Sequence, residues 1–145
     1  HTHWIDLFLG FAIRNSTGEN IRFIGKSELF FFPLNFFMEY MGGIPVNRNS
    51  NTKTVDQISN LIQNSKDFKL AISHEGTRKK VYKWKSVFYY IAKKSKIPVV
   101  CISLNFKKRI VKFIKPYKLT ENYDIDLKKL KNNFKDSIGK IAEYS

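Results

Sequence analysis

The feature that most constrains the fold is a short apolar run, Phe68–Ile72, which ends in the polar segment Ser73–Lys79, S-H-E-G-T-R-K. A run of this length predicts a buried strand, and the apolar residues after the polar segment have helical spacing. The turn between such a strand and a helix lies at the carboxyl edge of a sheet, where ligands bind in open α/β folds. Gly76 permits a close approach of the backbone to a ligand, and Arg78 offers a planar fork that matches a phosphate. The alternative is an ordinary polar turn.

The same alternation of short apolar runs and helical spacing continues along the chain. It predicts an α/β fold with a mostly parallel central sheet flanked by helices. Further strands are expected at Ile21–Ile24, Ile44–Val46, Val99–Leu104 and Arg109–Ile114. Helices are expected at Leu7–Ile13, Ser27–Met41, Thr54–Asn64, Trp84–Ile91 and, as a C-terminal stripe, Leu127–Ile141. The chain has 145 residues and no linker or low-complexity tract, so a single domain, 1–145, is expected.

An aromatic cluster lies in the predicted helix Ser27–Met41, and Pro33 is expected to kink that helix within its first two turns. The aromatic residues are Phe30, Phe31, Phe32, Phe36, Phe37 and Tyr40. Two interpretations stay open. The segment is either a buried helix or an amphipathic element that enters a bilayer or lines a groove for an acyl chain.

The charge balance indicates an anionic partner. Lys and Arg number 26 against 12 Asp and Glu, a formal net charge of +14, which suits a membrane surface, nucleic acid or a phosphorylated substrate. The 13 Phe and 7 Tyr fit a lipid interface and RNA equally well. One cysteine, Cys101, excludes an internal disulfide framework and is expected to be an inert core thiol. No apolar run reaches the ~18 residues of a membrane span.

Two residues at the start of the chain could form a general-base pair. Asp6 lies at a predicted helix start, and four residues separate it from His1. A carboxylate that accepts the Nδ1–H of an imidazole leaves Nε2 free to take a proton from a substrate hydroxyl. His3 adds a zinc alternative, but such sites usually need three or more good ligands, and the remaining histidine is His74. No metal is therefore predicted.

Four segments, in this order, resemble the motifs of the glycerolipid acyltransferases, the PlsC-type family of 1-acylglycerol-3-phosphate (lysophosphatidic acid) acyltransferases. His1–Asp6 resembles the motif H-x-x-x-x-D, Gly42–Arg48 the second motif, Ser73–Arg78 the third (usually F-P-E-G-T-R), and Ile97–Ile102 the fourth. The ordered set is more specific than any single motif. The chain departs from the family at Ser73 and His74, which replace phenylalanine and proline, and at Cys101, where a second proline is common.

The resemblance implies a role for each site residue. His1 would be the general base on the acceptor hydroxyl, and Asp6 would orient it. The implied substrate-binding residues are Arg48 and Arg78 for the acceptor phosphate, Glu75 for the glycerol part or for ordering the site, Gly76 for close approach, and Thr77. Acyl-CoA or acyl carrier protein would be the co-substrate, with no metal or organic cofactor.

The implied function is the transfer of a fatty acyl group to the hydroxyl of a lysophospholipid in phospholipid synthesis, with 1-acylglycerol-3-phosphate as the first candidate and other lipid acceptors as the alternative. The expected location is the cytoplasmic face of a membrane, peripheral or anchored through an N-terminal segment, at an anionic surface. Family members have a strand, and usually a membrane-docking helical segment, before the histidine. An N-terminally truncated bacterial member is therefore expected.

A basic nucleic-acid-binding module is the rival interpretation from a different class. It would explain the charge and the aromatic residues, but no RNP-type, zinc-finger or helix-turn-helix signature is present. It also leaves the pairs His1–Asp6 and Glu75–Arg78 without a purpose, so nucleic acid is not the expected partner. The enzyme interpretation requires these four residues to share one cleft.

Overall fold

The structure is a computed structural model that describes residues 5–46, 51–73 and 84–134, without the side chains of 5–7, 51 and 52. The described chain divides into two compact units. Ile5–Ser73 form the first unit, and residues 84–134 belong to the second. The single domain expected over 1–145 stays a prediction.

A three-stranded parallel sheet forms the centre of the first unit. Its strands are β1, Ile21–Lys26, β2, Gly43–Val46, and β3, Lys69–Ala71, in the order β2-β1-β3. β1 pairs with β2 up to the partners Lys26 and Val46, and with β3 up to Phe23 and Ala71. Because parallel neighbours need a long connection, a helical segment separates each strand from the next along the chain. The predicted α/β fold with a parallel sheet is confirmed.

Three helices belong to the first unit: α1, Ile5–Thr17, α2, Leu34–Tyr40, and α3, Asn51–Gln63. Gly18 follows α1 with a φ of 67°, the left-handed conformation that commonly ends helices and that glycine adopts without steric cost. The buried side chains described in this unit are Met38, Met41, Val46, Thr54, Ile58, Ser59 and Ile62. They come mainly from α2, α3 and β2.

The helix expected over Ser27–Met41 is interrupted. A 3-10 turn covers Ser27–Leu29, and α2 begins only after Pro33. Proline lacks the N–H that a helix interior needs and disfavours the helical conformation of the residue before it. The predicted kink is thus a complete break, and it leaves α2 only seven residues long.

The second unit contains α4, Val87–Ser95, β4, Ile102–Asn105, β5, Ile110–Phe113, and α5, Tyr123–Asn132. β4 and β5 form an antiparallel hairpin with Ile102 opposite Phe113 and Asn105 opposite Ile110. The two strands expected in this region are present, and they pair with each other. Of the C-terminal stripe, Leu130 is buried on α5, while residues 135–145 lie outside the described part of the chain.

A buried carboxylate holds α5 in the second unit. Asp126 is 0% exposed and accepts hydrogen bonds from Tyr117 Oη at 2.7 Å, Thr120 N at 2.8 Å, Thr120 Oγ1 at 2.9 Å and Tyr89 Oη at 3.3 Å. Burial alone would raise the pKa of Asp126, but the hydrogen bonds from Tyr117 and Thr120 outweigh it and hold this pKa below its ordinary value. The carboxylate therefore joins α4, the segment 117–120 and α5.

Candidate active site

The carboxyl ends of the three parallel strands lie at one edge of the sheet. β1 ends at Lys26, β2 at Val46 and β3 at Ala71. Arg48 comes two residues after β2, and the segment Ser73–Arg78 begins two residues after β3. Ligands of open α/β sheets bind at this edge. The prediction that the segment S-H-E-G-T-R follows a strand of the parallel sheet is confirmed.

The spacing of the strands limits how far apart these two segments start. β2 and β3 lie on either side of β1, so their axes are about 10 Å apart, which is two strand spacings. Val46 is level with Lys26, whereas Ala71 is level with Phe23, so β3 ends three residues earlier than β2 along the sheet. A ligand bound by side chains from both segments would have to span about this distance.

Two glycines at the start of β2 set the position of this strand. Gly42 has a φ of 91°, in the left-handed region that strains other residues, and a Cβ there would lie 2.9 Å from the Ile21 carbonyl oxygen. A Cβ on Gly43 would lie 2.7 Å from the Met38 carbonyl oxygen. The backbone of β2 thus approaches β1 and α2 more closely than any side chain would permit.

Asp6 is the second residue of α1, so the prediction that it lies at a helix start is confirmed to within a turn. Arg14, in the last turns of α1, donates a hydrogen bond from Nη1 to the Tyr40 carbonyl at 2.9 Å. Tyr40 comes three residues before β2, so this end of α1 lies near the amino end of β2. Asp6 is about 12 Å from Arg14 along the helix axis, at a rise of 1.5 Å per residue.

Most of the predicted site lies outside the described residues. This applies to His1, Arg48, Glu75, Gly76, Thr77 and Arg78, and to the side chain of Asp6. Their grouping in one cleft and their individual roles stay predictions. The histidines of the zinc alternative also lie outside, and the described part of the chain contains no group of three or more His, Cys, Asp and Glu that could hold a metal.

An aromatic surface lies between β1 and β2 along the chain. Its members, which define the surface, are Phe31, Phe32, Phe36, Phe37 and Tyr40, with exposed fractions from 47% to 79%. Within α2 only Met38 is buried. The buried-helix interpretation of this segment is wrong, because a two-turn helix after Pro33 turns a single residue toward the core. The exposed apolar element of the alternative interpretation is observed, and its contact with a bilayer or an acyl chain stays a prediction.

An open cleft of about 430 Å³ lies at the other end of α1. Its lining includes Phe11, Arg14, Gly18 and Tyr40, but no residue of the predicted site. Because it adjoins the amino end of β2, it is separate from the edge where the candidate segments begin. Geometry therefore gives no reason to place the chemistry in this cleft.

Comparison with families of known proteins gives a match over most of the chain. A family model described as Acyltransferase matches residues 1–105, a range that includes every residue of the predicted site and all four sequence motifs. No curated protein and no solved structure matches the chain significantly.

Proposed function

The chain belongs to the Acyltransferase family, and we propose that it transfers a fatty acyl group from acyl-CoA or acyl carrier protein to the hydroxyl of a lysophospholipid, with 1-acylglycerol-3-phosphate as the first acceptor. Family membership gives the acyltransferase activity, whereas donor and acceptor are our proposal. One observation carries it: the family match contains the ordered motifs, and the second motif includes β2 while the third follows β3, two strands of one parallel sheet.

The proposed reaction exchanges a thioester for an oxygen ester. His1 takes the proton of the acceptor hydroxyl, and the oxygen attacks the thioester carbonyl. The carbon–sulfur bond then breaks, and the proton passes from the imidazole to the leaving sulfur. Asp6 would accept the Nδ1–H of His1 and so keep Nε2 available as the base.

The acceptor would be recognised through its phosphate. Arg48 and Arg78 follow β2 and β3, whose axes are about 10 Å apart, and guanidinium groups bind phosphate in a bidentate manner. Gly76 would let the backbone approach the ligand. Glu75 would bind the glycerol part or order the site, and Thr77 would contribute to substrate binding. We therefore propose a phosphorylated acceptor, whose phosphate would bind between the segments that follow β2 and β3.

The proposed location is the cytoplasmic face of a membrane, as a peripheral or anchored protein. The exposed aromatic surface and the net charge of +14 both support contact with an anionic lipid surface. Within residues 5–46, 51–73 and 84–134, no helix has the length and hydrophobicity needed to span a bilayer.

An acyl-transfer assay of the full-length protein against a panel of lysophospholipids tests the function. His1→Ala is expected to lower kcat by about 10²–10⁴-fold, the usual contribution of a general base. His3→Ala is the matched control and is expected to retain activity. Chelators should leave the rate unchanged. Equal losses in both histidine variants, or activity that a chelator removes and zinc restores, would reject the general-base mechanism.

Kinetics of Arg48 variants can distinguish binding of the acceptor from the chemical step. A phosphate bound equally in ground and transition states affects KM more than kcat. A hydrogen bond to a charged group is worth roughly 1.5–3 kcal/mol, so Arg48→Ala should raise the KM for the phosphorylated acceptor about 10–150-fold. Arg48→Lys should recover part of this loss. A KM increase confined to the thioester donor would assign Arg48 to the donor phosphate instead.

A further inference from the structure

The hairpin of β4 and β5 combines positive charge with exposed apolar side chains. Of the nine residues 107–115, five are basic and none is acidic. The basic residues, all exposed, are Lys107, Lys108, Arg109, Lys112 and Lys115. Ile110 and Phe113 lie between them and are 52% and 51% exposed. Residues 107–115 are called the basic hairpin below.

The turn of the basic hairpin has a defined shape. Lys108 N donates a hydrogen bond to Asn105 Oδ1 at 2.9 Å, and the Asn105–Ile110 pair closes the strand ladder beside the turn. Arg109 has a φ of 54°, in the left-handed region that residues other than glycine and asparagine rarely adopt. The third cation of the turn, Arg109, thus occupies a position where glycine would be less strained.

The charges of the basic hairpin are not neutralised within the described part of the chain. No described carboxylate forms an ion pair with any of its five cations, whereas Lys69 bridges Glu19 and Lys93 bridges Glu121. The hairpin thus presents its positive charge outward, where an external anion can meet it.

We propose that the basic hairpin docks the protein on an anionic membrane, with its cations at the lipid phosphates and with Ile110 and Phe113 in the interface. Cations near an anionic bilayer are attracted to it, and adjacent apolar side chains add a contribution that salt does not screen. The choice of a membrane as the partner rests on the proposed function, whose acceptor is a lipid. The hairpin tip lies beyond residue 105, where the family match ends.

Protection of a strand edge explains only part of this pattern. Lysines on an exposed edge strand discourage pairing with other chains, and this role suits Lys112 within β5. It does not account for Lys107, Lys108 and Arg109, which lie in the turn. It also does not account for Ile110 and Phe113, whose exposure would favour association with other chains. Both features fit an interface that is cationic and apolar at once.

Vesicle co-sedimentation of the full-length protein tests the charged part of the proposal. The vesicles contain phosphatidylcholine alone or mixed with phosphatidylglycerol. Each cation near an anionic bilayer contributes about fivefold to binding. The combined variant Lys107→Gln, Lys108→Gln and Arg109→Gln should therefore bind the anionic vesicles about 100-fold more weakly, and the difference should shrink at high salt.

A control variant removes the same charge from three separate places. Lys66→Gln, Lys96→Gln and Lys128→Gln replace exposed lysines that follow α3, follow α4 and lie on α5. Because these cations lie on three different elements and not in one turn, the combined control should lose at most about tenfold in binding, less than the contribution of two cations. Vesicle binding that falls equally in the two triple variants would overturn the proposal, because net charge alone would then explain it.

The apolar part has its own variant. Ile110→Ser should weaken binding by about fivefold, at low and high salt alike, because loss of buried apolar area does not depend on ionic strength. Ile110 is half-exposed, so its replacement opens no cavity in the fold. Binding of Ile110→Ser equal to that of the unchanged protein would overturn insertion into the interface.

Two further measurements distinguish other partners. If the charge variant at the turn loses affinity for RNA or for acyl carrier protein but keeps its affinity for anionic vesicles, the membrane proposal fails and the hairpin belongs to that partner. Vesicle binding requires no catalysis. If binding to anionic vesicles depends on the hairpin but the protein acylates no lysophospholipid, the proposed function is rejected. The docking site would still stand.

Discussion

The two units of the molecule differ in how they carry charge. Residues 5–73 contain seven Lys and Arg against six Asp and Glu, whereas residues 84–134 contain thirteen against three. The first unit instead exposes the aromatic surface beside a parallel sheet. Residues 84–134 therefore contribute +10 of the net charge of +14, against +1 for residues 5–73, so most of the attraction to anions lies after the parallel sheet along the sequence.

The units also differ in how their parts are joined. In the first unit, glycines let backbone segments approach each other closely at the start of β2. In the second, one buried carboxylate and its hydroxyl and amide donors connect two helices and a connecting segment. Substitutions should therefore damage the two units through different mechanisms, steric in one and polar in the other.

The largest expected effect is the loss of the buried carboxylate. Asp126→Ala would remove the acceptor shared by Tyr89, Tyr117 and Thr120 from a fully buried position, and should lower the free energy of unfolding by about 3–5 kcal/mol. Asp124→Ala, an exposed neighbour on the same helix, is the control and should cost less than about 1 kcal/mol. Urea denaturation measures both. A similar loss in the two variants would show that helix α5, and not the carboxylate network, carries the stability.

A smaller loss is expected from one methyl group in the first unit. The Cβ of Gly43→Ala would lie 2.7 Å from the Met38 carbonyl oxygen, so backbone must shift, at a cost of about 1–3 kcal/mol. Gly10→Ala is the matched control, because nothing lies within 4 Å of its Cβ and it is inside α1. The control should raise stability by roughly 0.5–1 kcal/mol. Destabilisation by both variants would contradict the steric explanation.

The smallest expected effect on stability belongs to the aromatic surface. Phe32 is 79% exposed and contacts Phe36 edge-to-face with the ring centroids 6.2 Å apart. Phe32→Ser should change the free energy of unfolding by less than about 0.5 kcal/mol, yet weaken vesicle binding about tenfold through lost apolar burial. Salt should not alter that difference, in contrast to the basic hairpin.

Leu61→Ser provides the control for this measurement. Leu61 is exposed to 37% on α3, outside the aromatic surface, so its replacement should leave vesicle binding unchanged. Equal weakening by Phe32→Ser and Leu61→Ser would mean that the aromatic surface has no special contact with lipid. The aromatic surface is expected to add a salt-independent contribution to vesicle binding, beside the salt-dependent contribution of the basic hairpin. That result would show that the aromatic surface makes no such contribution.

The strands and turns that lead to the candidate site were predicted from the sequence more accurately than the burial of individual side chains. The strand before Ser73, the Gly42–Gly43 turn and the parallel sheet follow from local patterns, because apolar runs and glycines act over a few residues. The hairpin was also within reach of sequence reasoning. Four residues between β4 and β5 are too few for a parallel crossover, which needs a dozen or more.

Burial was harder to predict, because it depends on partners that are distant in the chain. Asp126 occurs in an amphipathic helix where an aspartate is ordinarily solvated, and its burial depends on Tyr89, 37 residues away. The aromatic residues of α2 could equally have formed a core, since composition does not show which face meets the sheet. Pro33 shortens the helix, and the aromatic residues are therefore exposed. The side-chain geometry of the predicted catalytic pair lies outside the described residues.

The buried Asp126 also makes the second unit sensitive to acid. Because its pKa is lowered in the folded protein, this group stabilises the fold fully above the ordinary aspartate pKa of about 3.9. That contribution is lost as the pH falls through the lower pKa of the folded state, since the unfolded chain then binds the proton more readily. Acidification thus weakens the fold of this unit while it increases its positive charge.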